Sequence, residues 1–244
     1  MLSIVKSIAL QGLNGYLIAI EVDISQGLPC FEIVGLPDAS VKEAKERVKT
    51  AIRNSEAEFL SRRIVVNLAP ANIRKEGSRF DLPIAVGILI ASRNVENLYL
   101  DKFLSETIFV GELSLDGTVE KVNGVLPICI EAKKLGIKRI VLSKKNAKEA
   151  SIVEGLEILP INNLKEILKY LNGENYIEKI ENKKFNSKNQ AIYEFDFSEV
   201  KGQENVKRAL EISAAGGHNC LLIRQSRFRK NNVSKEITQC FTRY

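Results

Sequence analysis

The chain of 244 residues is 45% hydrophobic and 27% charged, and it contains 15 glycines and 6 prolines. This composition is typical of a folded globular protein and excludes wholesale disorder, collagen-like repeats and low-complexity sequence. The net charge of +6 is, at first sight, that of a nucleic-acid-binding protein. However, residues 224–244 hold six basic residues against the single Glu236, whereas residues 1–223 hold 30 basic and 29 acidic residues. The basic character is therefore confined to the last part of the chain.

The cysteines and the apolar runs limit the cellular setting. The 4 cysteines lie far apart without a Cys-x-x-Cys pair, and the chain has 1 histidine, His218. A zinc site and a disulfide framework are therefore not predicted, and Cys30 and Cys129 are expected to be small core residues. The uncharged run Ser7–Ile20 is too short to cross a bilayer and lacks the order of a signal peptide. We expect a cytoplasmic protein without a metal site or a membrane partner.

The first third of the chain predicts strands and one amphipathic helix. Alternating apolar residues predict three strands: one containing Tyr16, Ile18 and Ile20, then Phe31–Val34 and Arg63–Leu68. Ser40 and Glu43 have the spacing of a capping box, which predicts a helix continuing to about Asn54. The almost wholly apolar run Leu82–Ala91 predicts a buried helix.

Strands and helices continue to alternate as far as residue 171. The predicted segments are a strand Thr107–Leu115 that enters a turn at Asp116-Gly117, a helix from Val125 to Gly136, a strand Arg139–Leu142, a short helix Ala147–Val153 and a strand Leu156–Ile161. Such alternation is typical of α/β layers. We therefore predict one α/β domain over residues 1–171.

The composition changes after residue 171. Residues 172–194 are polar, rich in Asn, Lys and Glu, and without an apolar period, which predicts a linker. A second unit begins at residue 195, with a helical stretch through Ser213 that stops at Gly216-Gly217 and leads into an apolar strand, Cys220–Ile223. The core face of this helix is predicted to be formed by Val206, Ala209, Leu210 and Ser213.

Three strings in residues 1–223 carry a family resemblance. They are NLAPANIRKEGSRFDLPIAVGIL from Asn67, VGELSLDGTVEKVNGVLP from Val110 and FSEVKGQENVKRALEISAAGGHNCLLI from Phe197. Together they resemble the magnesium-chelatase-like AAA+ ATPases of the ComM/YifB type. The resemblance implies that residues 1–171 have the ribosomal S5 domain 2-like fold of the Lon protease domain, and that residues 195–223 begin an AAA+ P-loop domain. It further implies a hexameric motor that uses ATP and Mg²⁺ to drive branch migration of DNA in natural transformation.

The same resemblance implies a set of nucleotide-binding residues. In an intact family member, the positions of Val200, Lys201, Gly202 and Gln203 would lie beside the adenine, and Lys230 would be the phosphate-binding lysine. Without the resemblance, Gly202 and Gln203 are interpreted only as the start of a helix, and His218 as a turn residue after Gly217. No catalytic residue is predicted.

The expected phosphate loop is altered. The family has a string similar to GPPGSGKT where this chain has Arg224-Gln-Ser-Arg-Phe-Arg-Lys-Asn231. Arginines occupy the three glycine positions, so side chains fill the space that phosphates need, and Asn231 replaces the hydroxyl. With permitted codons, residues 224–241 read one base later give DNPGSGKTMLAKRLPNV. We therefore interpret residues 224–244 as an out-of-frame tail and expect no ATP hydrolysis, since the later motor motifs would also be missing.

Four other functions are weighed against this one. A Lon-type protease needs a serine and a lysine, but alignment with the Lon pattern puts Asp81 near the serine position and Leu126 near the lysine position, and Ser78 is interpreted as a loop hydroxyl. A non-catalytic interaction module remains open, as does a magnesium chelatase subunit, although such a subunit is not expected to carry a long N-terminal Lon-like domain. The basic tail could also be a nucleic-acid-binding arm, with Phe228 stacking on a base.

Overall fold

The computed structural model of the chain describes residues 2–12, 14–95, 97, 100–180 and 202–221. Contacts within the chain group it into two compact units, Met1–Phe185 and Asn186–Tyr244. In the described part, no helix is long and apolar enough to cross a membrane.

The first unit contains nine strands and six α-helices within the described residues. The strands are β1 (Leu2–Gln11), β2 (Asn14–Ser25), β3 (Cys30–Val34), β4 (Arg63–Ala69), β5 (Thr107–Val110), β6 (Glu112–Leu113), β7 (Val119–Glu120), β8 (Arg139–Ser143) and β9 (Glu157–Ile161). The helices are α1 (Ala39–Asn54), α2 (Asp81–Ala91), α3 (Leu100–Ser105), α4 (Val125–Lys134), α5 (Ala147–Ala150) and α6 (Leu164–Leu171). A short 3-10 helix, Ser78–Phe80, leads directly into α2.

Seven strands form one mixed sheet in the order β3-β4-β2-β1-β5-β8-β9. The pairs β3/β4, β1/β5, β5/β8 and β8/β9 are parallel, whereas β1/β2 and β2/β4 are antiparallel. Strands β6 and β7 form a separate hairpin. This mostly parallel sheet with helices between its strands confirms the predicted α/β class.

Two apolar clusters cover the two faces of the sheet. Helices α1, α2 and α6 bury one cluster against β1, β2 and β4, while α4 and α5 bury the other against β5, β8 and β9. Successive residues of β5 belong to opposite clusters, because neighbouring side chains of a strand point to opposite faces: Phe109 lies in the first, Ile108 and Val110 in the second. Every residue of α2 is buried, as its apolar sequence predicts.

Three local predictions need correction. The capping box at Ser40 is wrong: the N-cap of α1 is Asp38, whose side chain accepts a hydrogen bond from the backbone N–H of Val41. Ser40 lies inside the first turn of the helix. The predicted strand Thr107–Leu115 is interrupted at Gly111, and the helix Ala147–Val153 ends at Ala150. The turn at Asp116-Gly117 is confirmed, since it joins β6 to β7.

The second unit is described over residues 202–221. Helix α7 (Glu204–Gly216) ends at Gly217, which adopts the left-handed conformation of a helix C-cap. Leu210 and Ser213 are buried, Val206 is half-buried, and Ala209 is exposed, so the predicted core face of α7 is shorter than expected. Cys220 and Leu221 show no strand; the other two residues of that predicted strand lie outside the described part.

Candidate functional site

The loop that follows β4 is tied to the segment between β3 and α1 by a buried lysine. Lys75 is fully buried, and its ammonium donates hydrogen bonds to the carbonyl oxygens of Gly35, at 2.9 Å, and Pro70. Burial lowers the pKa of Lys75. Gly35 itself lies against the backbone of β4: its φ is +97°, and a Cβ there would lie 2.3 Å from the Leu68 carbonyl oxygen.

Asp38 makes a second tie to the same loop. One carboxylate oxygen caps α1 at Val41, at 2.8 Å, and the other accepts the backbone N–H of Gly77, at 3.2 Å. The backbone N–H of Asp38 donates to the carbonyl oxygen of Lys75 at 3.0 Å. The loop after β4 and the start of α1 are therefore fixed relative to each other by both main-chain and side-chain hydrogen bonds.

A buried ion pair joins α1 to the start of α2. The guanidinium of Arg47 donates from Nε to Oδ2 of Asp81 at 2.7 Å and from Nη2 to Oδ1 at 3.0 Å. Asp81 is wholly buried and also accepts the backbone N–H of Leu113 at 3.3 Å. Burial raises the pKa of Asp81, and the guanidinium of Arg47 opposes that shift; Asp81 in turn raises the pKa of Arg47. The first turn of a helix also favours an anion, which explains why a carboxylate is tolerated at this place.

Two further polar groups lie in the 3-10 helix before Asp81. The hydroxyl of Ser78 donates a hydrogen bond to a carboxylate oxygen of Glu112. Arg79 has a buried Nη1 that has no hydrogen-bond partner in the described part of the chain, and burial lowers the pKa of Arg79. The main chain of Arg79 is nevertheless well held, because its carbonyl oxygen accepts the N–H of Gly111 at 3.1 Å.

The positions aligned with a Lon serine and lysine hold no reactive pair. Asp81 is engaged by Arg47, and Leu126 packs against the apolar cluster that contains Cys129 and Ile140. The backbone N–H of Leu126 donates to Glu149. A salt-bridged carboxylate offers no hydroxyl nucleophile and leucine accepts no proton, so this arrangement cannot perform serine–lysine hydrolysis.

The predicted nucleotide-binding residues are only partly within the described chain. Gly202 and Gln203 precede α7 with left-handed φ values of +75° and +59°, and the Gln203 carbonyl oxygen accepts the first N–H groups of the helix. Val200, Lys201 and Lys230 lie outside the described residues. His218 follows the end of α7, where its backbone carbonyl oxygen accepts the Ser213 hydroxyl at 2.6 Å.

Sequence reasoning did not find the Arg47–Asp81 pair or the burial of Lys75. Thirty-four positions separate the two members of the pair, and the only local signal was an acidic residue at the start of an otherwise apolar helix. Among the described residues, no group of three His, Cys, Asp or Glu side chains could hold a metal ion.

Comparison with known protein families matches both parts of the chain. The family described as subunit ChlI of Mg-chelatase matches residues 20–146, and a second family, magnesium chelatase subunit ChlI, matches residues 196–242. The chain belongs to the magnesium-chelatase subunit ChlI family. The first match covers most of the sheet and the hydrogen-bonded residues between β4 and α2. The second begins before α7 and extends across residues 224–231.

Curated relatives of this family extend over most of the chain. This chain is 39% identical over 243 residues to the competence protein ComM of Haemophilus influenzae, and the match covers 97% of this chain and 46% of that protein. It is 44% identical over 222 residues to YifB of Escherichia coli, covering 91% of this chain and 42% of YifB. The chain therefore spans about half the length of these relatives. The predicted resemblance to the ComM/YifB type is confirmed.

A more distant similarity points to Lon proteases. The chain is 27% identical over 183 residues to Lon protease 2 of Bacillus subtilis, covering 68% of this chain and 32% of that protein. The residues that the sequence analysis places near the Lon serine and lysine are Asp81 and Leu126, and neither side chain carries a hydroxyl or an amine.

Proposed function

We propose that this chain corresponds to the N-terminal part of a ComM/YifB-like AAA+ protein whose intact members bind ATP and act on DNA. The main support is the similarity to ComM over 97% of the chain, together with two family matches that lie on either side of residues 147–195. In this proposal residues 1–171 form a Lon-like domain of the S5 domain 2-like fold, residues 172–194 are a linker, and residues 195–223 begin the motor domain. The intact motor is a homo-hexamer.

The residues of this chain do not fit the phosphates of a bound nucleotide. Gly202 and Gln203 offer a left-handed turn before α7, with open space beside Gly202. A phosphate cradle, however, requires backbone N–H groups exposed by glycines, and the sequence has Arg224, Arg227 and Arg229 at those positions. One lysine without that cradle is a weak phosphate site. We therefore propose that this polypeptide neither binds ATP productively nor hydrolyses it.

The reading frame after Ile223 is the decisive question. If the coding region has lost frame there, resequencing will show an open alternative frame that encodes GSGKT and then further motor motifs. If no such continuation exists downstream, the frameshift hypothesis is wrong. The second family match extends to residue 242 and so includes residues 224–242. The nucleotide sequence is therefore needed to decide whether the reading frame changes after Ile223.

An ATPase assay tests the protein itself. Purified full-length chain should release no phosphate above a no-enzyme control in the presence of Mg²⁺, with or without DNA. The matched variant is Lys230→Ala, because Lys230 is the residue aligned with the phosphate-binding lysine. A measurable rate that Lys230→Ala abolishes would overturn the proposal, whereas a rate that the variant leaves unchanged indicates a contaminating ATPase.

A further inference from the structure

A row of basic side chains runs along one side of helix α1. Its members are Lys42, Lys45, Lys49 and Arg53, and they are called the α1 stripe here. At 100° per residue, they fall within an arc of about 80° around the helix axis and extend for about 16 Å along it. The buried side of the helix is formed by other residues, namely Val41, Ala44, Val48, Ala51 and Ile52. The stripe therefore lies outside the core.

The lysines of the α1 stripe form no ion pair within the described part of the chain. Arg47, the other basic residue of α1 between them, turns to the buried Asp81. By contrast, no ion pair is formed by the three lysines of the stripe with any residue of the described part of the chain. Lys42 and Arg53 are exposed, and Lys45 and Lys49 are half-buried.

The C-terminal end of the stripe is held in place. The Arg53 guanidinium lies 5.7 Å from the ring centroid of Phe59, a cation–π contact that limits the directions in which it can point. Further positive charge lies close by on α6, where Lys165 pairs with Glu56 at 2.5 Å and Lys169 also lowers the pKa of Glu56. Basic side chains thus continue from α1 towards α6, with Glu56 between them.

We propose that the α1 stripe binds the sugar-phosphate backbone of DNA. Regularly spaced cations along a straight helix match a polyanion, because the four basic residues follow one another at about 4.5–6 Å along the helix axis and their flexible side chains can reach phosphates. The proposal rests on the proposed action of the family on DNA and adds the surface of this chain that makes the contact. Acidic residues oppose this binding: Glu46 lies about 20° from Arg53 around the helix axis, and Glu43 and Glu56 add negative charge at the two ends of the stripe.

The test measures binding of a fluorescein-labelled mixed-sequence duplex to the full-length chain by fluorescence anisotropy at several salt concentrations. All proteins carry glutamine in place of the six basic residues of the tail, so that the tail contributes no positive charge; these are Arg224, Arg227, Arg229, Lys230, Lys235 and Arg243. Four phosphate contacts predict a slope of about −3.6 for log K against log salt. Lys45→Glu with Lys49→Glu should weaken binding more than tenfold and reduce the slope by about two.

Two further variants make the result specific to the stripe. Glu46→Gln should tighten binding, because it removes the negative charge beside the stripe. Lys121→Glu with Lys148→Glu is the matched control: both lysines are exposed and without an ion pair in the described part, and the charge change is the same, so binding should change less than twofold. Circular dichroism and urea midpoints check that each variant is folded.

The possible outcomes separate this inference from the proposed function. Absence of binding by the tail-neutralised chain, normal binding by the stripe variant, or an equal loss in the control each overturns the role of the α1 stripe. None of these results depends on the reading frame after Ile223, which resequencing decides independently. Conversely, if resequencing shows no frameshift after Ile223, the anisotropy measurements still test whether the α1 stripe binds DNA.

Discussion

Replacement of Arg47 by methionine is the sharpest test of the buried ion pair. The side chain of Asp81 is 0% exposed, and it would lose both guanidinium hydrogen bonds, at 2.7 and 3.0 Å, keeping only the longer bond from Leu113 N–H. Removing one partner of a buried pair typically costs about 3–5 kcal/mol. Because 23% of the Arg47 side chain is exposed, water can reach part of the vacated space, and we expect about 3 kcal/mol at neutral pH.

Protonation of Asp81 sets an upper limit to this loss and gives it a pH dependence. Holding a carboxyl of ordinary pKa 3.8 neutral at pH 7 costs about 4.4 kcal/mol, at 1.36 kcal/mol per pH unit. Burial already raises the pKa of Asp81, and loss of Arg47 raises it further. A carboxyl whose folded pKa is raised destabilises the fold most above that pKa, so the deficit must shrink as pH falls towards 3.8.

Urea unfolding followed by far-ultraviolet circular dichroism measures the effect, since the chain has no tryptophan for fluorescence. The matched variant is Asp81→Asn, which removes the buried charge and leaves the part-exposed Arg47 able to reach water, at a cost of about 1–2 kcal/mol at neutral pH. Equal losses in the two variants, or a loss for Arg47→Met that is the same near pH 4.5 and pH 7, would refute the reasoning.

Two substitutions and one labelling experiment test other parts of the first unit. Lys75→Ala should cost about 3 kcal/mol in urea unfolding, because it leaves a cavity and two carbonyl oxygens without their donor; a loss below about 1 kcal/mol would contradict a structural role. Burial raises the pKa of Cys129 to about 12, so a maleimide should modify it only after unfolding; labelling as fast as that of the half-buried Cys30 would contradict this. The hydrogen bond from Lys138 lowers the pKa of Glu106, so Glu106→Gln should lower the urea midpoint at neutral pH, and the gap should close as pH falls below 4.5. A gap that persists in acid would show that the ion pair is not its cause.

The local patterns of the sequence were enough to place most of the helices and strands. The eleven residues of α2 are buried on every side, as an apolar run requires, and α1 ends at the predicted Asn54. The family also followed from strings of residues, since long idiosyncratic motifs do not depend on geometry. Helices α3 and α6 were not predicted. Helix α3 has six residues and a weak periodic signal, but α6 was missed although Leu164, Ile167 and Leu171 have helical spacing and Asn163 caps the helix.

Only the tertiary structure decided which partners the polar residues of α1 and of the loop between β4 and α2 bind. Ser40 was the predicted cap of α1, but the cap is Asp38, whose other carboxylate oxygen accepts the N–H of Gly77, thirty-nine positions away. In the same way, a sequence shows that Arg47 and Asp81 are charged but not that they meet, because sheet topology and helix packing bring distant positions together. The sequence by itself thus determined the α/β class and the family, through periodicity and motif. The partners of Asp38 and Arg47 depend on long-range contacts, which no local pattern encodes.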